Sequence, residues 1–348
     1  MKLTTTVRVS GDPTALLSTI ERFNEACNWL SRVAFEERIF RWLPLQRRAY
    51  HELRHRFALR SDEAVVAVRK VAYAYSDRAR RERRATFRLR GAIPVYHHRY
   101  KRDGTVLLYG HRLRFQARAG VALSGKQQAT LSYEGGRFVL RQVIEVPEGS
   151  EIEAVDVLGC DVGIVNLLTD SDGERYSGEA VERRRRIFSH RRRNLQRKGT
   201  RAARRKLRHI GRRQARYQRD RNHVISKRVV AKAKGTRRAI GLEQLDGIRS
   251  RITVRRRQRA RHANWAFWQL RSFIEYKAAL AGVPIVVVDP RNTSRTCPKC
   301  GTVDKRNRRS QAEFLCRSCG FAGHADHIAA RNIMLRARAA GNRPMVAA

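Results

Sequence analysis

Two pairs of cysteines constrain the fold of the C-terminal region more tightly than any other feature of this sequence. The segments CPKCG and CRSCG arrange four residues as Cys-x2-Cys-x15-Cys-x2-Cys: Cys297, Cys300, Cys316 and Cys319. Two short knuckles of this kind deliver four thiolates to one tetrahedral Zn²⁺, and a site with four protein ligands leaves no open position for catalysis. The pattern therefore predicts a structural zinc ribbon that folds around its metal, against the alternative of four reduced thiols without a metal.

The other two cysteines lie outside this pattern. The opening segment MKLTTTVRVSGDP has no apolar run of the kind that a signal peptide needs, which favours a cytoplasmic, reducing location without disulfides. Cys27 falls on the apolar face of a predicted helix and Cys160 in a predicted strand, so we expect both to be core residues.

The charge of the chain predicts a polyanionic partner. There are 76 Lys and Arg against 31 Asp and Glu, a formal net charge of +45. Guanidinium groups bind phosphate in a bidentate manner, so nucleic acid is the first hypothesis. With 42% hydrophobic residues the chain is too apolar for a disordered basic tail. No apolar run approaches the roughly 18 residues of a membrane span, so we expect no membrane partner.

One segment concentrates this charge. Between residues 183 and 238 there are 25 Lys and Arg and a single acid, Asp220. A solvated helix face or a flexible tail would explain charge alone, but apolar residues such as Leu195 and Ile210 indicate packing. Because predicted strands flank the segment, we expect a fixed basic wall that contacts nucleic-acid backbones. The residues predicted to make these contacts are Arg184, Arg191, Arg192, Lys198, Arg204, Arg205, Arg212 and Arg213.

Residues 1–150 are predicted to form a β-rich module with a helical insert at about 12–85. Asp12 followed by Pro13 is typical of a helix N-terminus, and alternating hydrophobicity from about residue 86 predicts strands. A hairpin is expected to turn at Glu134-Gly135-Gly136.

Residues 151–348 have the pattern of an α/β domain. Predicted strands at 155–161, 165–169, 239–243 and 283–288 are separated by long helical segments. A basic helical insert is expected at about 178–238 and the zinc ribbon at about 293–322. Four aromatic residues at helical spacing are expected to pack on the sheet, with base stacking as the alternative: Trp265, Trp268, Phe273 and Tyr276.

Three acids stand where carboxylates are costly. Asp161 ends one apolar strand, Glu243 ends another, and Asp326 begins a predicted helix after the ribbon. Moving a carboxylate from water into an apolar strand without a partner costs on the order of several kcal/mol. Such a carboxylate therefore usually pairs with a cation or binds a metal. For one acid a salt bridge is the simpler explanation, but three together favour Mg²⁺ and phosphodiester cleavage.

Several segments resemble one known family. GCDVGIVNLLTDSDG, IGLEQLDGIR, the stretch from NWAFWQL to TCPKCG, and CRSCGFAGHADHIAARNI are similar to the RuvC-like nuclease region of TnpB (OrfB) proteins and of compact type V CRISPR effectors. The resemblance covers about residues 151–338 and, more loosely, the N-terminal half, which is similar to wedge and recognition domains.

This resemblance implies an RNase H-like fold with a zinc-bearing insert, in which Asp161, Glu243 and Asp326 bind Mg²⁺ (or Mn²⁺) and carry catalysis. It also implies a guide RNA and target double-stranded DNA as partners, with a short flanking motif read by the protein. The expected location is a bacterial or archaeal cytoplasm, in association with the nucleoid.

One position departs from the family. The motif D-x-N-A-A has Ile328 in place of its asparagine, so we expect the last carboxylate to lack a polar neighbour, which would weaken metal binding. A nuclease-silent, RNA-guided DNA-binding regulator is therefore the alternative to an endonuclease. A strand-joining transposase lacks support because no tyrosine-centred histidine pair is present, and a plain RNA-binding protein would not explain the acids.

Overall fold

The computed structural model describes residues 1–117, 123, 128–244 and 267–341. The chain divides into two compact units, Met1–Val146 and Pro147–Ala348. Across the described ranges, every helix is too short or too polar to traverse a lipid bilayer.

The first unit is built on an antiparallel sheet. Its strands are β1 (Lys2–Ser10), β2 (Ile93–Val95), β3 (His98–Tyr100), β4 (Thr105–Leu108), β5 (His111–Gln116), β6 (Ala129–Glu134) and β7 (Arg137–Glu145). The strand order is β2-β6-β7-β1-β5-β4-β3, so the N-terminal strand lies at the centre. The predicted hairpin is confirmed, because Gly135 and Gly136 join β6 to β7 with φ values of 60° and 82°.

Three helices lie between β1 and β2: α1 (Pro13–Glu36), α2 (Trp42–Arg56) and α3 (Ser61–Ala74), followed by a 3₁₀ turn (Arg78–Glu82). The predicted start of α1 is confirmed, since the Asp12 carboxylate accepts hydrogen bonds from the backbone N–H groups of Thr14 and Ala15. Helix α2 was not predicted from the sequence. This helix buries only Leu45, Ala49 and Leu53, a stripe too narrow to stand out among its charged residues.

The second unit contains a mixed sheet, which confirms the predicted α/β class for this region. Its strands are β8 (Asp156–Asp161), β9 (Asn166–Asp170), β10 (Arg175–Ser177), β11 (Arg238–Glu243) and β12 (Ile285–Val288). They lie in the order β10-β9-β8-β11-β12. The pairs β8–β11 and β11–β12 are parallel, whereas β8–β9 and β9–β10 are antiparallel.

Helices connect and cover this sheet. They are α4 (Glu179–Lys198), α5 (Arg201–Gly235), α6 (Phe267–Ala281) and α7 (Ala325–Gly341). Helices α4 and α5 join β10 to β11, and the segment between β12 and α7 contains a 3₁₀ turn (Lys305–Asn307) and the short pair β13 (Glu313–Leu315) and β14 (Ala322–His324). Gly282 follows the end of α6 with a φ of 69°, a conformation that favours glycine at the end of a helix.

The two faces of the sheet contact different helices. Leu158 and Cys160 of β8 pack with residues of α5 and α6, whereas Val157 packs with Ile333 and Ala337 of α7. Side chains alternate along a strand, so Gly159 and Asp161 lie on the face toward α7.

Glycines let α7 lie very close to this face. A Cβ atom at Gly159 would stand 2.2 Å from the carbonyl oxygen of Ala330, and one at Gly241 would stand 3.2 Å from the Cβ of Ala337. The helix backbone therefore rests directly on β8 and β11, which brings the first turn of α7 to the ends of those strands.

The expectation that Trp268, Phe273 and Tyr276 pack on the sheet is wrong. The buried residues of α6 are Phe267, Leu270, Ile274 and Ala278. Phe273 instead stacks on His223 of α5, with ring centroids 3.9 Å apart. Trp268 is largely exposed, and Trp265 lies outside the described residues.

The close approach of α7 predicts that alanine substitutions at two glycines change the free energy of unfolding in opposite directions. Gly159→Ala should lower the free energy of unfolding by about 1–3 kcal/mol because α7 must move away from the sheet. Gly211→Ala on exposed α5 should raise it by up to about 1 kcal/mol, since nothing lies within 4 Å of the added methyl group. Thermal unfolding measures both, and a Gly159→Ala protein at least as stable as the parent contradicts the packing described.

Candidate metal and nucleic-acid sites

Two of the three predicted acids end neighbouring parallel strands. Asp161 is the last residue of β8 and Glu243 the last of β11, and the register places Cys160 opposite Leu242 one step earlier. Adjacent strands lie about 4.8 Å apart, so the two carboxylates start from neighbouring backbone positions on the α7 face.

The third acid approaches them from α7. Asp326 is 5% exposed and lies in the first turn of this helix. The Asn166 amide donates a hydrogen bond of 2.9 Å to Asp326 Oδ2, and the Arg308 guanidinium lies 3.4 Å from Oδ1. The negative side chain at a helix N-terminus is also favoured by the helix dipole.

The three carboxylates interact electrostatically. Burial raises the pKa of Asp161 well above its usual range, repulsion from Glu243 and Asp326 adds to the increase, and Arg308 offsets part of it. Burial likewise raises the pKa of Glu243, while the Thr293 hydroxyl and Arg336 act in the opposite direction. Carboxyls that hold their protons in this way need a cation to become fully ionised.

A loop after β12 holds Glu243. Thr293 donates a hydrogen bond of 2.5 Å to Glu243 Oε1, and the backbone oxygen of Thr293 accepts a bond of 2.7 Å from the Asn332 amide. Helix α7 therefore supports Glu243 through Thr293.

The acid cluster fits a hard divalent cation in charge and donor type. Within the described part of the chain, the Asp161 carboxylate makes no hydrogen bond or ion pair, although it stands between two other carboxylates. Oxygen donors with unsatisfied negative charge are what Mg²⁺ and Mn²⁺ bind. The structure does not bring carboxylate oxygens of all three acids within 4.8 Å of one another; among the described residues only the four cysteines bring ligand atoms that close.

The expectation that Asp326 lacks a polar neighbour is wrong. Asn166 supplies one from β9. Ile328 is 2% exposed and packs with Cys297, Phe314 and Cys316 beneath the cysteine cluster. An apolar residue here therefore joins α7 to the cysteine-bearing segment.

The four predicted cysteines do come together. The Sγ atoms of Cys297 and Cys319 are 3.6 Å apart, and those of Cys300 and Cys316 are 3.5 Å apart. A tetrahedron with Zn–S bonds of about 2.3 Å has edges of about 3.8 Å, so the spacing suits Zn²⁺. Hydrogen bonds with Thr302 lower the pKa of the Cys300 thiol to about 6, which favours the thiolate.

Both knuckles turn at a glycine. Gly301 has a φ of 76° and Gly320 a φ of 70°, values that other residues rarely adopt. Cys27 and Cys160 are buried elsewhere, as predicted, and burial raises the pKa of Cys27 to about 12.

The predicted basic wall is a two-helix hairpin of α4 and α5. Seven of the eight proposed contact residues are exposed, and none of these seven forms an ion pair with an acid in the described ranges. Arg192 is different, because it is half-buried and donates a hydrogen bond to Gln214 of α5. Arg184 lies 4.0 Å from the ring of Tyr217, which fixes its guanidinium at the surface.

Other acids near the site have structural partners. Asp170 is buried 2.5 Å from Lys232 Nζ, and Asp172 pairs with Arg238 at 2.7 Å. Asp289 accepts a hydrogen bond from the backbone N–H of Arg291, which is typical of a turn.

Sequence reasoning missed Asn166 and Arg308. Asn166 lies within the segment that carries Asp161, and Arg308 lies between the two cysteine pairs. Nothing in their local pattern distinguishes them, because their role depends on the approach of α7.

The chain is similar in sequence to proteins that are named as nucleases. A family described as Cas12f1-like, TNB domain, matches residues 267–333. Over 72 residues the chain is 46% identical to the CRISPR-associated endodeoxyribonuclease Cas12f1 of Sulfoacidibacillus thermotolerans, which covers 21% of this chain and 17% of that protein. Over 121 residues it is 31% identical to a TnpB-like protein of Methanocaldococcus jannaschii, covering 34% of this chain and 43% of that protein.

A longer match is to a protein of Streptomyces pristinaespiralis with the provisional name RNA-guided DNA endonuclease, 34% identical over 192 residues, or 53% of this chain and 46% of that one. The cryo-EM structure of a Cas12f1–sgRNA–target DNA complex aligns with a TM-score of 0.42 and 15% identity over 96% of this chain and 99% of that one. The matched segments span less than half of each of the three relatives. By sequence, the chain is similar to Cas12f1 endodeoxyribonucleases and to a TnpB-like protein.

The cysteine geometry predicts one Zn²⁺ per chain. Cys316→Ser should lose the metal and lower the melting temperature, because four thiolates are needed to close the site. Cys160→Ser is the matched control, since this buried cysteine lies outside the cluster. Elemental analysis of the purified proteins measures the zinc content, and full zinc content in the Cys316→Ser protein contradicts the assignment.

The raised pKa values predict that Asp161 destabilises the metal-free fold. The folded state retains the Asp161 proton to higher pH than the unfolded chain, so this contribution to stability is present in acid and lost as the pH rises. In EDTA at mildly alkaline pH, Asp161→Asn should therefore raise the melting temperature, by about 2–4 °C for each kcal/mol relieved.

Asp172→Asn is the matched control and should change the melting temperature in the opposite direction. Hydrogen bonds from Arg238 and Lys232 hold the pKa of Asp172 below its usual range, so its loss should lower the melting temperature at the same pH. Added Mg²⁺ should raise the melting temperature of the parent but not that of Asp161→Asn. An equal Mg²⁺ effect on both proteins argues against a metal at Asp161.

Proposed function

We propose that the chain is an RNA-guided, divalent-metal-dependent DNA endonuclease of the TnpB and Cas12f kind. The observation that carries the proposal is the Asp161 carboxylate, which is repelled by Glu243 and Asp326 and forms no hydrogen bond or ion pair within the described ranges, in a chain rich in cations. The named relatives support the class, and they are described as endodeoxyribonucleases or RNA-guided endonucleases.

The proposed fold of the second unit is RNase H-like with a zinc-ribbon insert. The order β10-β9-β8-β11-β12, with antiparallel pairs on one side and parallel pairs on the other, supports it. So does the position of the acids at the ends of β8 and β11. We assign residues 1–150 as the wedge-like module with its helical insert, and residues 151–348 as the nuclease domain.

In this proposal Asp161, Glu243 and Asp326 hold Mg²⁺ or Mn²⁺. When bound, the metal would activate water and stabilise the leaving oxygen during phosphodiester hydrolysis. The protein contributes orientation: Asn166 and Arg308 fix the Asp326 carboxylate, and Thr293 fixes that of Glu243. Arg308 also places a positive charge beside the site, where a phosphate would approach.

The hairpin of α4 and α5 would hold the nucleic-acid backbones. Its seven exposed contact residues have no acid partners among the described residues, so they are available to phosphates. The proposed partners are a guide RNA and target double-stranded DNA, with pairing to the guide selecting the target. Such an activity places the protein with the chromosome, in a bacterial or archaeal cytoplasm.

The test is purification from cells that also express the DNA flanking the gene, followed by sequencing of the bound RNA and incubation with matching DNA. We expect a discrete RNA and cleavage of only the matching DNA when Mg²⁺ is present. Asp161→Ala should abolish cleavage but retain the RNA. Asp289→Asn is the matched control, since asparagine preserves the turn and should preserve cleavage.

Each other outcome has a defined meaning. Cleavage by Asp161→Ala at the parent rate rejects the assignment of the acids. A discrete RNA with binding to matching DNA, but no cleavage in Mg²⁺ or Mn²⁺, identifies a nuclease-silent regulator instead.

A further inference from the structure

An open cavity of about 820 Å³ in the first unit lies between the start of α2 and the end of α3. Its lining combines aromatic residues with arginines and includes no acid; the residues relevant here are Phe40, Trp42, Tyr73, Arg41, Arg47 and Arg69. We call these six residues the α2–α3 pocket.

Two aromatic residues of the pocket, Trp42 and Tyr73, lie outside the core. Trp42 is 40% exposed and Tyr73 is 75% exposed, whereas the buried residues of α2 are Leu45, Ala49 and Leu53. Exposed large aromatic rings that face one cavity indicate a binding surface.

The floor of the pocket is rigid. Phe40 lies against the fully buried Tyr75, with ring centroids 5.0 Å apart. The Tyr75 hydroxyl and the Ser31 hydroxyl form a hydrogen bond of 2.7 Å. A ligand in the pocket would therefore meet a preformed surface.

The arginines of the pocket are free of carboxylates. In the described part of the chain, Arg41, Arg47 and Arg69 form no ion pair with an acid. The contrast with Arg48 on the same helix is direct, since Arg48 lies 2.8 Å from Glu37 and 2.7 Å from Glu52. The Arg69 guanidinium instead lies 5.1 Å from the Trp42 ring.

We propose that the α2–α3 pocket binds an unpaired nucleotide of a single strand. The base would stack on Trp42 and Tyr73, and the adjoining phosphates would contact Arg41 and Arg47, since exposed rings beside unpaired arginines match both parts of a nucleotide. A base inside a duplex is already stacked on both faces and cannot do this. RNA and single-stranded DNA share this chemistry. The inference does not depend on the proposed nuclease, because a chain that never cleaves DNA would still show the binding.

The experiment compares strands of equal charge. Full-length protein is titrated with short oligo(U) RNA, short oligo(dT) DNA, an abasic DNA of equal phosphate number, and a duplex of the same length. The abasic strand reports the phosphate contacts of the whole chain, including those of α4 and α5. The ratio of affinities for base-bearing and abasic strands therefore isolates stacking.

The parent protein should favour a base-bearing strand by about 5- to 150-fold, the equivalent of one stacked base at about 1–3 kcal/mol. Trp42→Ala and Tyr73→Ala should bring this ratio toward one, and Tyr73→Phe should keep it. Arg47→Gln should weaken the binding of both the base-bearing and the abasic strand, and should make binding less dependent on salt concentration. Arg48→Gln is the control and should change neither. The affinities for oligo(U) and oligo(dT) show whether the pocket prefers RNA or single-stranded DNA.

Three results overturn the proposal: no preference for bases over the abasic strand, a preference unchanged in both Trp42→Ala and Tyr73→Ala, or tighter Trp42-dependent binding of the duplex. Melting curves confirm that the variants are folded. Cleavage assays on Tyr73→Ala and Asp161→Ala separate this inference from the nuclease, because only the second removes a proposed metal ligand.

Discussion

The contact of α7 with the glycines of β8 and β11 is the constraint on which the second unit depends. With no side chain at Gly159 or Gly241, the helix backbone lies on the sheet itself. Three residues of α7 then reach three different parts of the unit. Asp326 lies near the strand ends, Ile328 packs with the cysteine cluster, and Asn332 bonds to the loop that holds Glu243. Interior packing of proteins transmits small displacements, so one helix sets the spacing of acids from three separate segments.

The charges of this unit are balanced in one place and unbalanced in another. Asp170 and Asp172 face Lys232 and Arg238, a cluster in which each carboxylate has a cation. Asp161, on the strand next to Asp170, has none in the described ranges. A chain with so many basic residues could have neutralised it, and a bound metal ion, as proposed above, would explain why the described residues leave it without a cation.

Short-range patterns were readable from the sequence, whereas tertiary contacts were not. The Asp12 cap, the Gly135-Gly136 turn and the two knuckles each depend on a few adjacent residues, and each formed as expected. Helix α2 was missed because its buried stripe is three residues wide. The buried face of α6, the contact of Asn166 with Asp326 and the packing of Ile328 depend on which segments meet, and no window of sequence contains that information.

The length of α5 has a mechanical consequence. This helix has 35 residues, about 52 Å, and continues through a short turn into β11. Its C-terminal part is fixed in the core by Ile225, Val229 and Ala233, while its N-terminal part forms the hairpin with α4. The N-terminal part of α5 is therefore held at a fixed height above the sheet. A nucleic acid bound there, as proposed, could tilt only if α5 bent or if β11, which ends at Glu243, were strained.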